Sequence, residues 1–134
     1  VDAHHTVEDV GIVLGKALDE ALGNKEGIER FGESLTPMGE CLAEVALDLS
    51  GRPYLAFDVR FVAEKTGEFE NVLAEEFLQA FTTNARATLH VRAAQGKNDH
   101  HVHEAVFKGL ARALKKAVAL DPRRKGIPST KGTL

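Results

Sequence analysis

An α+β fold is expected for this chain, made of two pseudo-symmetric half-domains, each a sheet with helices on one face. Residues 4–23, HHTVEDVGIVLGKALDEALG, align without a gap on residues 100–119, HHVHEAVFKGLARALKKAVA, with eight identities in twenty positions. Between the two copies, strand-length runs alternate with one further helical pattern. The 134 residues are 43% hydrophobic and 28% charged. That size suits one domain, and that balance is far from a disordered or collagen-like chain.

Taken in order, Asp2 is an N-cap for the first helix. The set Val10, Leu14, Ala17, Leu18 and Ala21 has helical spacing and reads as its buried stripe. Gly23 stops it. Cys41–Asp48 is strand-length, Ser50-Gly51-Arg52 is a turn, and Pro53–Val62 suits a second strand through Tyr54, Phe57, Val59, Phe61 and Val62. Residues 70–83 have helical period through Val72, Leu73, Phe77, Leu78 and Phe81. Ala87–Ala93 alternates around Leu89 and Val91 as a strand. Asn98 caps the second copy of the repeated helix. Residues 40–119 therefore read β-β-α-β-α.

This divides the chain into residues 1–30, the C-terminal helix of a first repeat, and residues 31–134, a second repeat with a basic C-terminal tail. A half-domain cannot stand on one helix without a sheet. The first repeat is thus expected to be truncated at its N-terminus and the chain to be part of a longer protein, with which Val1 in place of an initiator Met agrees.

Composition narrows the function. Cys41 is the single cysteine and cannot form an internal disulfide. No apolar run approaches the ~18 residues of a membrane span, and no signal peptide precedes the first motif. A cytoplasmic protein without membrane contact is expected. The net charge of −3 conceals an asymmetry: residues 105–134 carry eight Lys/Arg against one acid, and residues 1–104 carry nine against nineteen. Phe107 is the one aromatic residue in the basic section, which points to a small anion rather than nucleic acid.

The repeated H-H-x-x-E carries the chemistry. Imidazole and carboxylate are transition-metal ligands. On a helix, Glu8 lies one turn from His4 and His5. Adjacent histidines diverge by about 100°, so two ions suit them better than one. One such motif alone would more often be a polar cap, but His-His-Glu has no packing reason to recur. The duplicated element supplies His4, His5, Glu8, His100, His101 and Glu104 for a two-metal site. H-E-x-x-H is absent, which argues against a zinc protease. His103 is not repeated and reads as a surface residue; His90 is open between the core and the surroundings of the ligands.

The segments AHHTVEDVGIVLGKALDEALG, GIERFG, TPM, LDLSGRPYL, ATLH, GKNDHHVHEAVFKGLARALKKAV and the terminal PSTKG resemble the imidazoleglycerol-phosphate dehydratase family of histidine biosynthesis. The resemblance implies a ribosomal protein S5 domain 2-like fold and a lyase that converts imidazole glycerol phosphate to imidazole acetol phosphate through a two-metal imidazolate intermediate. It also implies two Mn2+ ions per subunit at subunit interfaces, in trimers that build a twenty-four-subunit shell. Residue types alone leave zinc, iron or cobalt open.

Carried over, the metal ligands are His4, His5, Glu8, Glu76, His100, His101 and Glu104, with Glu76 where the family often has His. Arg30, Arg52, Lys108, Ser129 and Lys131 match substrate-binding positions. Lys108 also lies four residues after Glu104, on the same helix face. Gly39 stands where the family motif Pro-Met-Asp-Glu has its Asp. The family's catalytic carboxylate belongs to an opening segment not matched here, so no base is assigned. The alternative is a catalytically inactive metal-binding and assembly piece of such an enzyme.

Overall fold

The computed structural model describes residues 2–94 and 96–134. The elements are α1 (Ala3–Leu22), β1 (Phe31–Met38), β2 (Cys41–Asp48), β3 (Tyr54–Val59), β4 (Lys65–Thr66), β5 (Phe69–Glu70), α2 (Leu73–Ala85), β6 (Thr88–Ala93) and α3 (Asp99–Ala117). Strands β1-β2-β6-β3 form one sheet, antiparallel except for the parallel pair β3–β6; β4 and β5 make a separate small hairpin. Strict alternation turns Cys41, Ala43, Val45 and Leu47 of β2, and Leu89, Val91 and Ala93 of β6, toward the helices. Leu78, Phe81, Val102, Val106 and Leu110 cover them. The other sheet face carries exposed Leu42, Glu44, His90 and Arg92. The expected α+β architecture with helices on one face is present.

Strand β1 lies in a segment where the sequence pattern predicts no strand. Its inward positions are Gly32, Ser34 and Thr36, all buried, whereas Phe31 and Leu35 are exposed. The apolar pattern is inverted because α3 approaches so closely: a Cβ at Gly32 would overlap the Ala113 carbonyl, and the Ser34 hydroxyl donates to the Gly109 carbonyl at 2.9 Å. Only small residues fit there. Pro37 is tolerated because β1 is an edge strand.

The stripe expected to be buried on α1 is not. Val10 and Leu14 are 47% and 49% exposed, and Ala17 and Ala21 are exposed too; Leu18 alone packs partly against the core. Gly11 and Gly15 are the buried residues of α1. They let α1 settle on α2, where an added Cβ would fall 2.7 Å from the Phe77 carbonyl oxygen and 2.6 Å from that of Phe81. On α3 the matching positions Val106, Leu110, Ala113 and Ala117 are buried as expected.

These contacts fix the helix directions. Gly11 lies against Phe77 and Gly15 against Phe81, so α1 and α2 run the same way. His103 reaches Asn71, and Phe107 meets Phe77, so α3 runs with α2. All three N-termini therefore lie at one end of the helical layer. No helix among the described residues is long and apolar enough to cross a membrane.

Candidate metal and anion sites

Both His-His-x-x-Glu motifs occupy the first turns of their helices. The Asp2 carboxylate accepts the His5 backbone N–H at 2.9 Å, and the Asn98 side-chain oxygen accepts that of His100 at 3.0 Å, so both foreseen N-caps form. His4 Nε2 lies 3.9 Å from Glu8, and His100 Nε2 lies 3.6 Å from Glu104. The His4 and His100 rings are open to solvent, while Glu8 and Glu104 are half-buried. Lys108 also donates to Glu104, and that bond holds the Glu104 carboxyl below its ordinary range.

The second histidine of each pair has a carboxylate on its Nδ1. Asp2 faces His5 at 2.8 Å, and Glu40 faces His101 at 2.9 Å. Glu40 sits in the two-residue turn between β1 and β2, and its other oxygen accepts the Lys97 and Asn98 N–H groups at 2.8 and 2.9 Å. The His101 hydrogen bond and these backbone donors pull the Glu40 carboxyl down to about 2. Gly39 precedes it with φ +56°, the glycine-favouring first position of a tight hairpin turn. A Cβ there would lie 3.1 Å from His101 Nδ1. The departure from Asp is thus both a turn residue and a close ring contact.

Glu76 is half-buried in the first turn of α2. The parallel register of α1 and α2 sets it at the level of Glu8. All seven expected ligands share this end of the molecule. Among the described residues, however, no three His, Cys, Asp or Glu side chains converge as they would around an ion.

Two histidines correct the sequence reading. His103 is half-buried rather than superficial: Phe61 and Phe69 flank its ring at 4.6 and 5.4 Å, and Nε2 meets Asn71 at 2.8 Å. Burial pushes its pKa down. Asn71 also donates to Asp99, which accepts the Val62 and Ala63 N–H groups. That capture draws the chain away after Val59, so β3 ends before the expected Val62. His90 is in neither core nor metal region; it is exposed on the open sheet face beside Tyr54.

At the opposite end, Arg30, Ser50, Arg52, Ser129, Thr130 and Lys131 line a cavity of about 640 Å³. Four of the five expected substrate residues meet there; Lys108 is not among its lining and stands exposed midway along α3. Arg30 is held hard. Its backbone has φ +72°, its guanidinium bonds both Asp48 oxygens at 2.7 and 3.1 Å and the Pro128 carbonyl at 2.9 Å, and it stacks on Phe31. The tail is fixed beside it by the Gly27 N–H to Gly126 carbonyl bond and the Ile28–Leu120 bridge. Among the described residues, Arg52 and Lys131 have no ion-pair partner, so the cavity is cationic.

The Glu40 turn lies at one end of β2 and Asp48, bound to Arg30, at the other. An eight-residue strand spans on the order of 25 Å. The cationic cavity and the histidine motifs of one chain are separated by about that length.

The family model for imidazoleglycerol-phosphate dehydratase matches residues 1–114. A Clostridium botulinum (strain Langeland) protein of that name is 58% identical over 134 residues, which are all of this chain and 68% of the relative. An Oceanobacillus iheyensis protein of the same name is 52% identical and is 69% covered. The crystal structure of the Staphylococcus aureus dehydratase superposes with a TM-score of 0.87 at 45% identity, over 90% of this chain and 70% of that one. The Pyrococcus furiosus protein, solved in complex with a bound compound, gives 0.82 at 40% identity, over 98% and 71%.

Proposed function

The chain belongs to the imidazoleglycerol-phosphate dehydratase family, and on that premise we propose that it is a cytoplasmic lyase of histidine biosynthesis, removing water from imidazole glycerol phosphate to leave imidazole acetol phosphate. The gathering of Arg30, Arg52, Ser129 and Lys131 around one cationic cavity carries this reading, because a phosphate ester needs such a set of donors. The cavity binds the phosphate away from the reacting carbons. Its contribution is orientation.

The imidazoles and carboxylates gathered at the helix N-termini are the donor set of a divalent transition metal. In this proposal His4, His5, Glu8, Glu76, His100, His101 and Glu104 hold two manganese ions per subunit. When bound, such ions supply Lewis acidity to the substrate's imidazole. Lys108 neutralises part of the Glu104 charge and keeps its own charge exposed at that face.

The distance between the two sites supports a homo-oligomer. A small substrate cannot span a length on the order of 25 Å, so the cavity of one subunit is read as meeting the histidine motifs of another. Trimers assembled into a twenty-four-subunit shell, with metals at the interfaces, satisfy that requirement. In the same reading α1 belongs to a first repeat and residues 31–134 form the second.

The test is turnover of imidazole glycerol phosphate by manganese-loaded protein, followed by mass spectrometry, with Arg52→Ala beside it. Product is expected. Arg52→Ala should raise KM more than it lowers kcat, because the phosphate does not react, and should cost roughly ten- to a hundredfold in kcat/KM. Manganese-loaded protein that gives no product would leave the inactive metal-binding and assembly role instead.

A further inference from the structure

We propose that Asp2 and Glu40 are positioning residues that lock His5 and His101 in one tautomer, with the proton on Nδ1 and the lone pair on Nε2. This rests on the metal reading above, and it names which nitrogen each histidine offers. An ionised carboxylate can only accept, so the neutral imidazole nitrogen facing it must carry the proton. The Nδ1 nitrogens stand 2.8 Å from Asp2 and 2.9 Å from Glu40. The other nitrogen is left as the ligand, and a ring held in that way is a better one.

The two copies reach this arrangement by different residues. Asp2 does it from the N-cap of α1. The equivalent of Asp2 in the second copy is Asn98, whose side-chain oxygen is occupied by the His100 N–H. Its amide carries no charge. Glu40 supplies the missing carboxylate from a hairpin distant in sequence, and the same side chain fixes the backbone at Lys97 and Asn98. Sequence repetition does not require this convergence; a shared demand on the second histidine does.

Glu40→Gln separates positioning from mere tethering. The Gln oxygen can still accept the Lys97 and Asn98 N–H groups, while its NH2 replaces the oxygen that faces His101. That NH2 must donate to Nδ1, which drives the proton to Nε2. In 15N-histidine-labelled metal-free protein, solid-state NMR should show one imidazole exchanging its protonated nitrogen between wild type and variant. The melting temperature should stay close to that of the wild type, and manganese affinity should fall about ten- to a hundredfold. Unchanged imidazole signals would overturn the proposal, as would a tautomer exchange with unchanged manganese affinity. A wild-type protein that takes up no manganese would sink the metal reading, and the imidazole signals would still decide whether Glu40 sets the His101 tautomer.

Discussion

At the scale of single residues, cation and carboxylate pairs do different work at the two ends of the molecule. Asp121 accepts from Arg123 and is approached by Arg124, which pulls its carboxyl from 3.8 down to about 2. A depressed acid stabilises the fold above its unfolded pKa and loses that contribution as pH falls through the folded one. Asp121→Asn should therefore melt below wild type at neutral pH, and thermal scans should show the gap closing between about pH 3.8 and about pH 2. Lys108→Ala and His100→Ala give a second contrast. The lysine variant should raise KM with kcat little changed, whereas the histidine variant should lose manganese and kcat together. If steady-state kinetics of Lys108→Ala match wild type, the lysine is only a partner of Glu104. Arg30, Arg52, Ser129 and Lys131 were legible because they sit in recognisable sequence segments. Glu40 was not, since its role arises from a hairpin touching a helix that lies far along the chain.

At the scale of elements, glycine decides how closely layers pack. An added side chain at Gly15 meets the Phe81 carbonyl at 2.6 Å, which is backbone and cannot swing aside. Gly15→Val should cost on the order of 1–3 kcal/mol in urea unfolding, as overpacking does, and should speed amide exchange in α1. Exchange confined to its wild-type rate would show that α1 does not depend on this contact. The same closeness explains what the sequence concealed. Strand β1 hides its inner face in Gly32, Ser34 and Thr36, so period-two hydrophobicity finds Phe31 and Leu35 on the wrong side. Strand β6, with Leu89 and Val91 inward, follows the ordinary pattern and was readable. The stripe on α1 was a true periodicity, but Gly11 and Gly15 took the buried face in its place.

At the scale of the whole molecule, the parallel helices collect every expected ligand at one end, while the tail builds the cationic cavity at the other. A single chain does not join them. Manganese removal with a chelator should lower the mass seen by light scattering, since the ions are assigned to subunit contacts; an unchanged mass after verified metal loss would count against that assignment. The most direct measurement mixes two impaired proteins and assays them at substrate concentrations well below KM. His100→Ala lacks a metal ligand and keeps the cavity, and the double variant Arg52→Ala, Lys131→Ala lacks the cavity charge and keeps the motifs. Co-assembled, they should regain dehydratase activity well above the sum of the two parents, because some sites then draw each intact half from a different subunit. Mixed assemblies no more active than that sum would contradict a site shared between subunits.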